Sequence, residues 1–290
     1  MHFKRSLGLA AALAMTLSVA ACGSDSSGSS SSGGADFGNC KVTSKKGSIS
    51  VKPVKSGTLT VETTLPELGW FNGTTPDSIK DGYEYCFAAN LANAAGLKSV
   101  TVKNVSFDQL VAGRTNNFDL ALAEISITPE RQKVVDFSVP YFDSNIGVLA
   151  KKGSGITADN ITSKKCSAYS GTTSVPFIKD TLKCSNTKIY PDNQTLYQGV
   201  LSGQSDAAFL DTAIVLAEAK STGGKLEVVG QYKTGEKYGA IYPKGSANED
   251  AFDKVITTML SDGTTDKLSK DYLGPAFGGD PSSVPVWTVN

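Results

Sequence analysis

The sequence predicts an α/β fold. Three observations carry this reading. Strand-like and helix-like segments alternate along the chain, and the alternating set recurs after about residue 145. Roughly 235 residues from Lys55 onward, enough for one large or two small cores, follow a low-complexity N-terminal stretch.

GTLTVET (57–63) reads as a strand, and DGYEYCFAANLANAAG reads as a helix with Phe87, Leu91 and Ala94 on one face and Gly96 as its stop. SVTVKN and FDLALA are strands around the helical turn SFDQLVAG. The second set runs IGVLAKKG, CSAYSG into SVPFIKDTLK, TKIYPD into QTLYQGVLSG, DAAFL into DTAIVLAEAKS, and LEVVGQY. KYGAIYPKG then gives a strand. NEDAFDKVITTMLSDG places Phe252, Val255, Ile256, Met259 and Leu260 on an apolar stripe that is read as core, and TTDKLSKDYLG forms a last helix capped by Gly274.

The N-terminus reads as an export signal. MHFKR is a short cationic start, and SLGLAAALAMTLSVAAC is an apolar stretch closed by small residues, shorter than a membrane span. GSDSSGSSSSGGAD follows as a Gly/Ser tether. The run Val19-Ala20-Ala21-Cys22 resembles a bacterial lipobox, which implies that Cys22 carries a lipid anchor on the outer face of the cell membrane. The 28 basic and 28 acidic residues balance, so no basic surface argues for nucleic acid. Apart from Cys22, the cysteines are Cys40, Cys86, Cys166 and Cys184, an even number in an exported chain, which favours two disulfides. Counting leaves three pairings open. Cys166 with Cys184 is favoured because a strand start and the end of the next helix commonly lie side by side, leaving Cys40 to tie the N-terminal arm to the helix bearing Cys86. Metal binding is disfavoured, since no CxxC spacing exists and His2 lies in the signal.

Six motifs in order, LTVETTLPELGWFNG, GYEYCFAANLANAAG, VSFDQLVAGRTNNFDLALAEISITPERQKVVDFSVPYF, SGTTSVPFI, LSGQSDAAFLD and DGTTDKLSKDYLG, span about Gly57 to Gly274. They resemble the amino-acid-type extracytoplasmic solute-binding proteins (family 3) of bacterial ABC importers, here in lipoprotein form. The resemblance implies a periplasmic-binding-protein-like architecture of two α/β lobes joined by two crossing strands, with the second lobe inserted into the first and the ligand in the cleft. The expected boundaries are a signal peptide over 1–21, tether and arm over 22–56, the first lobe over 57–144 and 239–290, and the second over 145–238. Crossings are expected near Asp143 to Asn145 and near Glu236 to Gly239. A monomer that meets a permease and needs no cofactor or metal is implied.

The resemblance also assigns site residues. Arg131 follows the Thr128-Pro129 turn, and at this motif position the guanidinium grips an amino acid's α-carboxylate, for which its planar fork suits better than a lysine. The alternative is a surface pair with Asp136 or Glu130. Ser126 is expected to donate to the same carboxylate, while Thr128 caps the helix. In SGTTS, Gly171 allows close backbone approach, and Thr172 and Thr173 offer hydroxyls and amides at a helix start. Asp211, by default an N-cap, matches the position that receives the α-ammonium. Glu124 departs from the family pattern, where a small residue is common. Buried without a partner it is costly, so Arg131, Arg114 or a cationic ligand must satisfy it. With Glu67 and Asp211 nearby, this leans towards arginine, lysine or histidine. Trp70, Phe71 and Tyr141 are candidates for the aromatic that covers the ligand. Two other readings use the same cleft: a ligand sensor reporting to a membrane receptor, and a dehydratase with Glu124 as general acid. The latter is disfavoured by a chain without histidine beyond the signal and without a nucleophile-elbow or phosphate-loop motif.

Overall fold

The computed structural model describes residues 35–289, so the signal peptide, Cys22 and most of the tether lie outside the described residues. Two sheets organise the rest. The first contains β1 (Thr58–Thr63), β2 (Ser99–Asn104), β3 (Leu120–Ala121), β4 (Asp136–Phe137) and β10 (Ile241–Tyr242), in the order β2-β1-β3-β10-β4. β1 lies parallel to β2 and β3, and β10 runs antiparallel between β3 and β4. Every residue of β1 is buried: Leu59 and Val61 alternate with Thr58, Thr60 and Glu62, and the polar side chains are enclosed as well as the apolar ones. The helix α1 (Tyr83–Ala94) is buried along its whole length, and Gly96, at φ +70°, ends it.

The second sheet has the order β11-β9-β5-β8-β6-β7. Its strands are β5 (Phe142–Lys151), β6 (Lys165–Tyr169), β7 (Asn186–Tyr190), β8 (Ala207–Asp211), β9 (Leu226–Tyr238) and β11 (Val286–Trp287). The helices α5 (Asn193–Ser202) and α6 (Thr212–Ser221) connect them. β5 and β9 are the two crossing strands, paired antiparallel from Phe142↔Tyr238 to Lys151↔Leu226 with a register shift between Ser144 and Ile146. A buried apolar cluster runs from Phe107, Ala123 and Ile241 on the first side to Tyr169, Leu210 and Ile214 on the second, so the two halves are packed against each other.

The N-terminal arm wraps α1. The Cys40–Cys86 disulfide, with Cα atoms 5.2 Å apart, fixes one point. Asn90 accepts from the Thr43 and Ser44 amides, and Asn93 donates to the Ser44 carbonyl. These bonds explain two buried asparagines in an otherwise apolar helix. Cys166 pairs with Cys184, as expected.

Three expectations need correction. Leu260 is 39% exposed, and the core face of α7 (Glu249–Ser261) is Phe252, Val255, Ile256 and Met259. Gly274 lies inside a helical run with φ −53°, and the chain turns out of the helix only at Gly278, φ +69°. The tail does not stay with the first sheet: Val286 and Trp287 pair with Gln231 and Tyr232, and the Trp287 indole fills the space where a Cβ at Gly230 would lie 2.1 Å away.

Candidate functional site

After β3 the chain runs through Glu124, Ile125 and Ser126 to the one-turn helix α3 (Pro129–Gln132). Thr128 caps this turn, its hydroxyl accepting from the Arg131 amide at 3.2 Å, and Pro129 occupies the first helical turn, where a missing N–H costs nothing. The Arg131 side chain is thereby turned inward, and the residue is 8% exposed. Its Nη1 donates to the Ser126 carbonyl at 2.6 Å and its Nη2 to the Gly171 carbonyl at 3.0 Å, with the guanidinium carbon 5.4 Å from the Phe107 ring centre. A surface ion pair is thus ruled out for Arg131, and Asp136 pairs with Lys244 instead. Gly171 has φ +75°, and a Cβ there would lie 2.1 Å from an Asp108 carboxylate oxygen, so only glycine lets this turn come so close to the first half.

A residue not foreseen from the sequence completes this junction. Glu236, on β9 opposite Ser144, accepts on one carboxylate oxygen from the Ser126 hydroxyl at 2.5 Å and from the Thr173 hydroxyl at 2.9 Å. Hydroxyls from both halves therefore converge on a carboxylate. The Thr172 hydroxyl is committed to its own turn, donating to the Tyr169 carbonyl at 2.6 Å.

Asp211 ends β8 and precedes α6, yet its side chain makes no capping bond. It accepts from the Ser144 hydroxyl at 2.6 Å, which in turn meets the Tyr238 hydroxyl at 3.0 Å. Burial, and then the charge of Glu236, push the Asp211 carboxyl up to about 6.

A small cavity of about 20 Å³ lies between the halves, lined by Glu67, Phe107, Glu124, Tyr169, Thr172, Asn193 and Asp211, among others. Its electrostatics are lopsided. Glu67, Glu84, Glu124 and Asp211 are all buried, and Arg131 is the only buried lysine or arginine among the described residues. Burial raises Glu67 to about 8 against the lowering effect of the bond from Asn193. Burial likewise raises Glu84 to about 7, although the Tyr141 hydroxyl donates to it. Glu124 is held well above the usual carboxylate range by burial first and by Glu84 and Glu67 next. Its backbone sits at φ +48°, a conformation non-glycine residues seldom adopt, and its amide donates to the Glu84 carboxylate at 3.1 Å. One Glu124 carboxylate oxygen is buried with no partner. Neither Arg131 nor Arg114 hydrogen-bonds to the Glu124 side chain.

The proposed aromatic covers lie elsewhere. Trp70 is fully buried and edge-on to Tyr83, Phe142 and Tyr238. Phe71 is fully buried and lines a neighbouring groove, and Tyr141 packs on Phe87 with its hydroxyl on Glu84. The rings that line the cavity are Phe107 and Tyr169, 5.6 Å apart between centres. In the sequence both look like core aromatics, one on a short helix and one ending a strand, and nothing distinguishes them.

The geometry has counterparts in known proteins. Residues 62–275 match the profile of the bacterial extracellular solute-binding proteins, family 3. The L-cystine-binding protein TcyJ of Escherichia coli K12 is 32% identical over 232 residues, covering 77% of this chain and 85% of that protein. The ABC transporter glutamine-binding protein GlnH of Bacillus subtilis (strain 168) is 28% identical over 279 residues, covering 92% of this chain and 96% of that protein. Among solved structures, an ancestral arginine-binding protein bound to arginine superposes with a TM-score of 0.66 at 30% identity, covering 74% of this chain and 98% of that one.

Proposed function

Because the chain belongs to the bacterial extracellular solute-binding proteins, family 3, we propose that it takes up a polar α-amino acid between its two halves outside the cytoplasmic membrane and delivers it to an ABC importer. The observation that carries this reading is the buried Arg131 guanidinium bonded to the Gly171 carbonyl across the junction, with the buried Asp211 carboxylate on the second half. A guanidinium fork meets an α-carboxylate, and an aspartate meets an α-ammonium. The Ser126 and Thr173 hydroxyls, which donate to the Glu236 carboxylate in this structure, turn to the ligand carboxylate when it enters, and Thr172, Glu124 and Phe107 form the walls. A ligand that touches both halves favours the closed arrangement, because only there are both sets of contacts made. We assign residues 57–144 and 239–280 to the first lobe, and 145–238 with the tail from 281 to the second. The lipobox reading of Cys22 makes the protein a membrane-tethered receptor.

The acid surplus supports a cationic ligand. Glu67, Glu84, Glu124 and Asp211 are four buried carboxyls against one buried guanidinium, and a second positive charge on the ligand lets more of them ionise. The relatives divide on this point, their names specifying cystine, glutamine and arginine. A thermal-shift screen against the common amino acids tests the reading. A true ligand at 100 times its Kd adds about 2.7 kcal/mol, a rise in Tm of roughly 5–10 °C. No shift with any amino acid would contradict it.

The raised carboxyls set a pH dependence. Their folded pKa values lie above the unfolded ones, so the folded protein holds more protons than the unfolded chain between about pH 4.5 and about 8. These groups therefore make the free protein less stable as pH rises through that window. A cationic amino acid needs them ionised, so its binding releases protons and its affinity rises from pH 6 to 8. Calorimetry in two buffers of different ionisation enthalpy reads the proton count directly. Net proton uptake, or an affinity that falls over this range, contradicts the assignment.

A further inference from the structure

Ser126 and Glu236 stand on neighbouring backbone: the Ile127 amide donates to the Lys237 carbonyl at 2.9 Å, and Ser126 pairs antiparallel with Tyr238. Glu236 also lies at the edge of an irregularity between the crossing strands. Ser144 faces Glu236 but Ile146 faces Tyr232, so residues 233–235 stand opposite Asn145 alone. Such a bulge re-aims the side chain beside it. Here one oxygen of the half-buried Glu236 carboxylate meets the Ser126 hydroxyl of the first half at 2.5 Å and the Thr173 hydroxyl of the second at 2.9 Å. Arg131 is held by the same two segments, through the Ser126 and Gly171 carbonyls. The junction is thus bracketed twice, once by a guanidinium on carbonyls and once by a carboxylate on hydroxyls.

A hydroxyl has one proton to donate. Ser126 and Thr173 can each give it to Glu236 or to a ligand carboxylate, never to both at once. We propose that Glu236 is a built-in competitor for the ligand's α-carboxylate: it joins the two halves in the free protein, and the amino acid must displace it from both hydroxyls to bind. The proposal rests on the reading of Ser126 and Thr173 as donors to the ligand. The displaced side chain turns to water, which its half-buried position allows. Binding therefore gives up two charge-assisted bonds in order to make two others, and Glu236 sets the affinity without touching the bound amino acid.

The test uses Glu236→Ala, which removes the competitor, and Glu236→Gln, which keeps its shape without its charge. L-arginine, L-cystine and L-glutamine are titrated calorimetrically into the parent and both variants, and solution scattering gives the radius of gyration without amino acid and at saturation. Every probe that binds the parent is expected to bind the alanine variant about fivefold or more tighter, with the glutamine variant between the two. Without amino acid the alanine variant is expected to have the larger radius of gyration, and at saturation the two agree. A merely structural residue would not tighten binding when removed. Affinity weakened, or unchanged within about twofold, in both variants overturns the competitor and leaves the head-group reading standing. Where the variants disagree, the glutamine variant decides, since its shape is that of the parent. An alanine variant no larger than the parent without amino acid overturns the joining of the halves by Glu236. Failure of all three probes to bind the parent overturns the head-group reading and the competitor with it.

Discussion

Arg131→Ala is expected to weaken amino-acid binding roughly 30- to 1,000-fold, about 2–4 kcal/mol. The magnitude follows from burial. At 8% exposure the guanidinium acts where water competes little, and it is pre-positioned by the carbonyls of Ser126 and Gly171 rather than ordered by the ligand. Truncation removes the charge that meets the α-carboxylate and leaves that carboxylate beside Glu236 and Asp211 with no cation. Because Nη2 also bonds the Gly171 carbonyl, the substitution loosens the contact between halves, adding to the loss. Lysine at this position restores charge but not the fork, and only part of the affinity is expected to return. Calorimetry showing the alanine variant within threefold of the parent contradicts the assignment.

Removing the Cys40–Cys86 disulfide by alanine at both positions is expected to lower stability by about 2–4 kcal/mol and Tm by roughly 5–15 °C. The bond spans 46 residues, and cross-linking a loop of that length restricts the unfolded chain by about 4 kcal/mol in the entropic treatment. The Cys166–Cys184 bond spans 18 residues, for which the same treatment gives about 3 kcal/mol, so the first pair should have the larger effect. The hydrogen bonds of Asn90 and Asn93 to the arm remain, so the arm is expected to stay docked below the transition. Scanning calorimetry checks this, and a fall in Tm of less than about 2 °C contradicts it.

Much of the architecture was legible because local signals and packing agree. The buried run of β1, the Thr128-Pro129 turn and Gly96 each have a local physical signature. The Cys166–Cys184 pairing was readable for a related reason, since a strand start and the end of the next helix are neighbours in an alternating fold, and Cys40–Cys86 followed as the remaining pair. Glu236 was not legible: it meets Ser126 from 110 positions away, and nothing in GEKYG distinguishes a carboxylate aimed inward from a solvated one. Trp70 was misplaced because a loop aromatic fits a cleft or a core equally well until its neighbours are known, and here three aromatic rings surround it. The docking of Trp287 left a trace at Gly230, but the two positions are linked only by a strand pairing that sequence spacing cannot specify. Glu124 was recognised as a departure, yet its neighbour proved to be the acid Glu84 rather than a cation.

The central claim is that the two halves hold one α-amino acid, its carboxylate on Arg131 and its ammonium on Asp211. A crystal structure of the protein grown with the amino acid that gives the largest thermal shift tests this directly. The account predicts α-carboxylate oxygens within hydrogen-bonding distance of the Arg131 guanidinium and the α-nitrogen within reach of the Asp211 carboxylate. An amino acid found away from both side chains, with Arg131 bonded only to the carbonyls of Ser126 and Gly171, would contradict it.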